Sequence, residues 1–475
     1  MENNKDLELK NEEMNLKAQL SQIPSVEIIL QDKDLKPLIE KHSRKRLTSI
    51  VRKVIAEEKK RIRKNGEPYS VVERINKIKE YSERESQAYL QKVINGSGVI
   101  LHTNLGRAPL GKEILQKVED TLEGYSNLEY DLAEGKRGKR GEMVEKLLTS
   151  LSHAEKSLVV NNNAGAVFLI LNTLAKDKEV IVSRGELLQI GGGFRIPEIL
   201  AQSGAYLREV GTTNQTFIED YEKALNDNTA LILKVHQSNF QMYGFVHQVE
   251  VKELKKLGEE YDLPVVVDLG SGTFLNTEDF GLEHEPTVQE SIRAGADMVC
   301  FSTDKLLGGP QGGVICGKEI YLKKISQNPL FRTLRVGKIT LALLQEVLLS
   351  YLKGEAAAKI PLWKMISCPP EEIERRSQNI CQELKKAAIP VFIREGQTAI
   401  GGGSLPGQTL PTTLVVITPP VPVETFSREL RLSSPPLLGR KEREDFTLDP
   451  RGIDPSLDDL VIKIIKSVYA KLKLG

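Results

Sequence analysis

Short apolar segments that alternate with helical stretches place the strongest constraint on the fold of this 475-residue chain. Five of them are rich in β-branched residues, and they cover residues 157–160, 179–182, 230–233, 263–267 and 298–301. Because each segment is apolar throughout, a strand formed from it must be covered on both faces. The pattern predicts an α/β fold with a mostly parallel sheet, whose ligands collect at the carboxyl ends of the strands.

The pattern changes after about Tyr351. Prolines mark a joint, a helix is expected over residues 371–387, and strand-like segments at 389–393 and 413–417 frame a glycine-rich turn. This predicts a smaller α+β domain, as expected for a chain too long for one ordinary core. We expect a large domain over residues 95–350 and a small C-terminal domain over residues 351–475.

The N-terminal part is helical in pattern and strongly basic. We expect a helical domain over residues 1–66 and a linker helix over residues 67–94. From Lys41 to Lys64, eleven Lys and Arg face two Glu, a local excess of nine positive charges. A solvated helix face is the ordinary role of such charges, but the shortage of acidic partners favours binding of a polyanion such as RNA. The candidate contacts with such a polyanion are Arg44, Lys45, Arg52, Lys59 and Arg63. Lys45, Arg52, Lys59 and Arg63 form a basic ridge on one side of the predicted helix. The opposite, apolar face comprises Leu47, Ile50, Val51, Val54, Ile55 and Ile62.

Composition excludes several other classes of protein. No run approaches the roughly 20 apolar residues of a membrane span, and the charged start is unlike a signal peptide. The four cysteines lack the spacing of a disulfide framework or a metal site, and no His/Cys pair has ligand spacing. We therefore expect a cytoplasmic protein that has no membrane segment and no metal.

Two residues at strand ends indicate a particular cofactor. Lys305 follows the apolar segment that ends near Phe301 and opens a glycine-rich turn, and Asp268 ends the strand-like segment 264–268. A shielded lysine loses its proton and reacts with an aldehyde. A lysine for the aldehyde and an aspartate for the ring nitrogen are the two anchors of pyridoxal phosphate. Either residue alone is ordinarily a turn or cap residue, but the two together favour the cofactor.

Other residues fit the same site. The small residues Asn163, Ala164 and Gly165 open a predicted helix, whose N-terminal N–H groups can cradle a phosphate. Further candidates for cofactor contact are His236, Ser238, Ser302 and Gln311. His236 fits two interpretations equally well, contact with the cofactor's phenolic oxygen or a satisfied core histidine.

Three arginines are candidates for binding an anionic substrate. Arg107 lies in a turn between Gly106 and Pro109, and Arg332 and Arg335 are expected one turn apart on a short helix. Two guanidinium groups at that spacing point the same way and suit a tetrahedral oxyanion. Surface exposure is the ordinary role of such arginines when they are considered alone.

Several longer segments carry a resemblance to a known family. They are residues 104–110, 124–132, 182–187, 210–214 and 304–311. In these segments the chain resembles the bacterial selenocysteine synthases, L-seryl-tRNA(Sec) selenium transferases, from about residue 20 to the C-terminus. The resemblance implies the type I pyridoxal phosphate-dependent transferase fold, an N-terminal domain that binds tRNA(Sec), and a homodecamer built as a pentamer of dimers.

The resemblance also implies roles for the candidate residues. Lys305 would bind the cofactor aldehyde and Asp268 its pyridinium nitrogen, whereas Arg107, Arg332 and Arg335 would hold the phosphate group of selenophosphate. The implied reaction is β-elimination of the hydroxyl of L-seryl-tRNA(Sec), followed by addition of selenium. An esterified serine presents no carboxylate, which leaves the arginines available for the selenium donor.

Two other functions remain open at this point. One is a pyridoxal phosphate-dependent lyase or aminotransferase acting on a small phosphorylated amino compound, for which the three arginines would serve equally well. Such an enzyme has no need of a basic N-terminal helix. The other is a non-catalytic tRNA-binding protein, which the presence of both cofactor anchors disfavours.

Overall fold

The computed structural model of the chain describes residues 14–64, 66–87, 90–190 and 193–474. The chain divides at Lys92 into two compact units, an N-terminal unit and a larger C-terminal unit. Among the described residues, no helix combines the length and the apolar character needed to cross a membrane.

The N-terminal unit is helical. Its helices include α1 (Val26–Leu30), α2 (Lys36–His42), α3 (Arg44–Ile62) and α4 (Val71–Gln87). Ser25 caps α1 by accepting a hydrogen bond from the N–H of Ile28. The predicted apolar face of α3 lies in the core of this unit, and only Ile55 among its residues is half-buried.

Two details of this unit differ from the sequence prediction. The basic segment is not one helix from Lys41, because Ser43 has a φ of 72° and separates α2 from α3. The helix expected as a linker, α4, packs into the same core through Ile75 and Ile78. Its Arg74 also forms a buried ion pair with Glu58 of α3, with Nη2 and Oε1 2.7 Å apart.

The C-terminal unit is built around a seven-stranded sheet with the order β5-β13-β12-β11-β10-β6-β9. These strands are β5 (Lys156–Val160), β6 (Glu179–Ser183), β9 (Tyr206–Val210), β10 (Thr229–Val235), β11 (Val265–Gly270), β12 (Met298–Ser302) and β13 (Gly313–Gly317). Only β13 runs antiparallel to its neighbours. All five predicted strands are present in this sheet, as expected from their fully apolar segments.

Helices cover both faces of the sheet because successive strand residues point to opposite sides. One core contains Val159, Val267 and Val299, and the other contains Leu158, Val266 and Met298. The first core packs against α5 (Lys112–Glu123), α6 (Glu142–Ser152), α11 (Val288–Arg293) and α14 (Lys338–Leu352). The second core packs against α7 (Asn163–Leu174), α8 (Ile196–Ser203) and α12 (Glu319–Gln327).

A smaller sheet has the order β17-β18-β15-β14-β2. Its strands are β2 (Val99–Leu101), β14 (Val391–Gly401), β15 (Thr409–Ile417), β17 (Arg440–Glu442) and β18 (Asp445–Leu448). Its helices are α17 (Pro370–Lys386), α18 (Val423–Arg431) and α19 (Asp458–Leu474). The α+β character predicted for the C-terminal region is therefore present, and residues 99–101 add a strand to it from the start of the C-terminal unit.

Short elements complete the C-terminal unit. The remaining helices are α9 (Ile218–Ala224), α10 (Val251–Glu260), α13 (Pro329–Leu334), α15 (Ala356–Lys359) and α16 (Pro361–Ser367). The remaining strands are β1 (Ile94–Asn95), β3 (Tyr130–Asp131), β4 (Lys136–Arg137), β7 (Gln189–Ile190), β8 (Phe194–Arg195) and β16 (Leu437–Leu438).

Candidate functional site

Lys305 and Asp268 line one cavity of about 250 Å³ at the ends of the central strands. Asp268 lies near the end of β11, and Lys305 follows β12, the next strand in the sheet. Neighbouring parallel strands end at the same edge of a sheet, which brings these two residues together. This cavity is called the lysine cavity below.

The amine of Lys305 is shielded from water. The residue is 4% exposed, and burial lowers the pKa of its amine, although the negative charge of Asp268 opposes that shift. The positive charge of Arg107 also lowers the pKa of the amine, whereas the negative charges of Asp304 and Glu285 raise it. A buried amine with a lowered pKa is neutral more often and is therefore a better nucleophile.

Asp268 is held by two hydrogen bonds to the same oxygen. Asn163 donates from Nδ2 at 2.8 Å and Gly270 donates from its backbone N–H at 3.0 Å, both to Oδ1. Burial raises the pKa of the Asp268 carboxyl, and these two donors together with the charge of Lys305 oppose that shift. The carboxylate is thus oriented by its neighbours, and its affinity for a proton is raised.

The start of α7 lies at the same cavity. Asn162 caps the helix by accepting the N–H of Gly165 at 2.8 Å, and Asn163 and Ala164 line the cavity. The N–H of Gly165 is occupied by this cap, and Gly165 does not line the cavity. The first turn of a helix still presents a positive dipole end to the cavity.

The remaining candidates for cofactor contact also converge here. His236, Ser238, Ser302 and Gln311 all line the lysine cavity. The hydroxyl of Thr303, the residue after Ser302, donates to the carbonyl of Pro310.

His236 has a partner that the sequence did not indicate. Its Nε2 lies 3.3 Å from Oε1 of Glu285, whose side chain is 3% exposed. Both atoms are buried, and neither makes a hydrogen bond of normal geometry to the described residues. Glu285 therefore places a carboxylate beside the imidazole at the edge of the lysine cavity.

Of the three candidate arginines, Arg107 lines the lysine cavity. Its Nη1 donates to Oδ2 of Asp304 at 2.7 Å, so the residue next to Lys305 orients the guanidinium. Arg107 has a φ of 61°, a left-handed conformation that arginine rarely adopts.

Arg332 and Arg335 do not line the lysine cavity. They line a separate cavity of about 350 Å³, together with Arg140 and Val336. Arg332 belongs to α13, but Arg335 follows the end of this helix in an extended conformation, so the expected one-turn spacing on a helix is wrong. Arg335 instead contacts Glu129, with Nη1 and Oε1 3.4 Å apart.

Two glycines have no equivalent in the sequence prediction: Gly270 lines the lysine cavity, and Gly403 lies beside Lys305. A Cβ on Gly403, in the turn between β14 and β15, would lie 2.9 Å from Nζ of Lys305. A Cβ on Gly270 would lie 2.9 Å from Oγ of Ser238. Both glycines have positive φ, and the run Gly401-Gly402-Gly403 was the only local signal for the first. The cavity also has an apolar wall, to which Val167, Leu188 and Val235 contribute.

The basic ridge of the N-terminal unit is exposed. Lys45, Arg52, Lys59 and Arg63 are exposed on α3 and at its end, and they form no ion pair with the described residues. Arg44, by contrast, pairs with Glu27. Among the described residues there is also no cluster of three side chains able to hold a metal ion.

Comparisons with known proteins agree with this arrangement. The family model for L-seryl-tRNA selenium transferase matches residues 93–454, and the model for the N-terminal region of selenocysteine synthase matches residues 20–57. The L-seryl-tRNA(Sec) selenium transferase of Carboxydothermus hydrogenoformans is 44% identical over 447 residues, which cover 93% of this chain and 96% of that protein. The enzyme of the same name from Maridesulfovibrio salexigens is 47% identical over 374 residues, covering 78% of this chain and 80% of its own.

A solved structure shares the fold. The structure of D-glucosaminate-6-phosphate ammonia-lyase superposes with a TM-score of 0.53 at 18% identity, covering 82% of this chain and 98% of that one. The predicted fold class is therefore confirmed: a type I pyridoxal phosphate-dependent transferase fold with a smaller α+β domain and a helical N-terminus. The family match spans most of the chain. The chain belongs to the L-seryl-tRNA selenium transferase family.

Proposed function

We propose that this protein converts L-seryl-tRNA(Sec) to L-selenocysteinyl-tRNA(Sec), with pyridoxal phosphate as cofactor and selenophosphate as selenium donor. The observation that carries this proposal is the joint presence of Lys305 and Asp268 in one buried cavity. Membership of the family, whose relatives bear this activity in their names, supports the choice of substrate.

The residues of the lysine cavity fit the cofactor. Lys305 offers a shielded amine for the aldehyde, Asp268 a held carboxylate for the ring nitrogen, and the start of α7 a positive end for the phosphate. Ser302 and Gln311 add polar groups, and Val167, Leu188 and Val235 supply an apolar wall. When bound, pyridoxal phosphate supplies an electron sink for the carbon that loses its proton.

The chain's own groups then move protons. Asp268, whose pKa is raised by burial, would hold the ring nitrogen of the bound cofactor and keep a proton there. Nζ of Lys305, whose pKa burial lowers, is the group that accepts the proton from the α carbon of the seryl group and returns a proton to the departing hydroxyl.

The overall reaction balances without an oxidant. The bond between the β carbon and oxygen breaks, a carbon–selenium bond forms, and the selenium–phosphorus bond is hydrolysed. One phosphate is released for each seryl group converted, and the water lost in the first stage balances the water used in the last.

Arg107 is the proposed contact for the selenophosphate anion in the lysine cavity. Its guanidinium keeps donors beyond the one given to Asp304, since arginine has five N–H groups. We infer that Arg332 and Arg335 serve the same anion from a second copy of the chain, because they line a different cavity within one copy. A homo-oligomer, with the family's decamer as the expected size, supplies that second copy.

The exposed basic ridge on α3 is the proposed contact for the tRNA backbone. Lys45, Arg52, Lys59 and Arg63 form no ion pair with the described residues, and phosphates attract such groups without regard to sequence. The location proposed for this chemistry is the cytoplasm, where aminoacylated tRNA is found.

Single-turnover conversion tests the proposed function. Purified protein with cofactor is mixed with seryl-tRNA(Sec) and selenophosphate, and the aminoacyl product is released and identified. We expect selenocysteine from the wild type and none from Lys305→Ala, which should also lose the visible absorbance of the bound cofactor. Free serine and phosphorylated small amino compounds are the control substrates. Turnover of those compounds but not of seryl-tRNA would contradict the proposal and favour a small-molecule enzyme.

A further inference from the structure

A second cavity, of about 230 Å³, adjoins the lysine cavity. The two cavities share His236 as a wall residue. The loop after β10 forms one side of the second cavity, and the turn between β14 and β15 contributes Leu405 and Gln408 to another. A group bound here would lie directly beside the site of the proposed chemistry.

The lining of this cavity has a distinctive composition. It contains the aromatic residues Phe240 and Tyr243, several glutamine amides, the imidazoles of His236 and His284, and the carboxylates of Glu283 and Glu285. Tyr243 is 83% exposed, so the face of its ring is accessible to a ligand. The lining contains neither lysine nor arginine.

The polar groups of the cavity hold one another in place. The hydroxyl of Tyr243 donates to Oε1 of Gln241, whose Nε2 donates to Oε2 of Glu283 at 3.2 Å. The N–H of Glu283 donates to Oε1 of Gln408 at 3.3 Å, which links the loop to the turn. A Cβ on Gly407 would lie 3.0 Å from Oε1 of Gln241, so a glycine permits this close approach.

We propose that this cavity binds the 3′-terminal adenosine of the aminoacyl-tRNA substrate. The inference rests on the proposed function, and it names the part of the substrate that this cavity recognises. The seryl group is esterified to the ribose of that adenosine, so the ribose must lie next to the cavity in which the seryl group reacts. The second cavity meets that requirement through His236.

The chemistry of the lining matches a nucleoside. Aromatic side chains stack on bases, and glutamine amides pair with the donor and acceptor atoms of adenine. A carboxylate such as that of Glu283 accepts hydrogen bonds from ribose hydroxyls. Without a lysine or arginine the cavity is less suited to selenophosphate than the lysine cavity, which Arg107 lines. Its volume is below the roughly 300–1,000 Å³ of sites for drug-sized ligands, which suits one nucleoside rather than several.

Direct binding of the trinucleotide CCA to the full-length protein tests this assignment without any turnover. A fluorescent label at the 5′ end reports binding by anisotropy at fixed salt. We expect Tyr243→Ala to weaken binding about tenfold, from the loss of a stacked base, and Tyr243→Phe to keep the wild-type affinity. Tyr261→Ala is the matched control, because Tyr261 is an exposed tyrosine that lines none of the cavities described above.

A trinucleotide whose third base is absent completes the experiment. The wild type should bind this trinucleotide about tenfold more weakly than it binds CCA. The Tyr243→Ala variant should bind the same trinucleotide with the same affinity as the wild type does, because the stacked base is already missing. Equal affinity of the wild type for the two trinucleotides, or no measurable binding of CCA, would overturn the assignment. A failure of the proposed function would look different: the wild type would not convert seryl-tRNA, whatever its affinity for CCA.

Discussion

At the scale of single residues, glycines shape the surroundings of Lys305 as much as charged groups do. Asp268 and Arg107 influence the pKa of its amine, but Gly403 determines how much space the amine has. A Cβ on residue 403 would lie 2.9 Å from Nζ, which is closer than normal van der Waals contact. The native arrangement therefore has no room for a methyl group there. Space beside the amine is needed if a cofactor aldehyde and then a substrate amine are to approach it.

Gly403→Ala should therefore weaken binding of pyridoxal phosphate by tenfold or more, as measured by titration of the visible absorbance. The added methyl group displaces the Lys305 amine or occupies the space of the aldehyde. Gly354→Ala is the matched control, since Gly354 has a similar positive φ of 69° but nothing within 4 Å of the added carbon. Both variants should lose about 1–2 kcal/mol of unfolding free energy from backbone strain. Equal cofactor affinity in the two variants would show that the contact with Lys305 is unimportant.

At the scale of elements, α3 separates its acidic residues from its basic ones. Glu58 is buried against Arg74, and Glu57 accepts hydrogen bonds from Lys77, Tyr69 and Tyr81 of the same unit. Both carboxylates thus neutralise groups of the unit itself and leave the outward cations unbalanced. Hydrogen bonding by Lys77 lowers the pKa of Glu57, which favours the charged carboxylate in this arrangement.

Changing Lys45, Arg52, Lys59 and Arg63 together to glutamate should weaken tRNA binding and flatten its dependence on salt. Four lost phosphate contacts reduce the slope of log affinity against log salt by about 3 to 4. The control is a variant with the same change in net charge, Lys252, Lys256, Lys385 and Lys463 to glutamate, all exposed in the C-terminal unit. Filter binding over a range of salt concentrations gives both slopes. If the control loses as much affinity as the ridge variant, the effect is one of net charge alone.

At the scale of the whole molecule, the candidate arginines are divided between two cavities of one chain. Arg107 is with Lys305, whereas Arg332 and Arg335 are with Arg140. A symmetric dimer can join such cavities, because each copy then supplies the part that the other lacks.

Mixed oligomers test this arrangement. Lys305→Ala and the double variant Arg332→Ala/Arg335→Ala should each be inactive alone, and oligomers formed from equal amounts of both should regain about one quarter of wild-type activity. Half of the randomly formed pairs are mixed, and each mixed pair has one intact site. Inactive mixed oligomers, with both variants verified in the same particle, would mean that one chain supplies all of its own site residues.

Local patterns in the sequence indicated five of the seven strands of the large sheet, the family and the two candidate cofactor anchors. A fully apolar run reports burial on both faces, and a polar residue at its end reports the edge of the sheet, so Lys305 and Asp268 were recognisable without a structure. The strand β13 was missed because it begins and ends with glycines, Gly313 and Gly317, which are depleted in strands.

Only the tertiary structure decided which distant residues meet at the site. Gly403 is about a hundred residues from Lys305 along the chain, and Glu285 reaches His236 from a different loop. Packing of the small sheet against the large domain creates the first contact, and no local periodicity reports it. The separation of Arg332 and Arg335 from the lysine cavity was likewise decided by the tertiary structure. The type of a side chain indicates what chemistry it can perform, but the path of the chain determines where it lies.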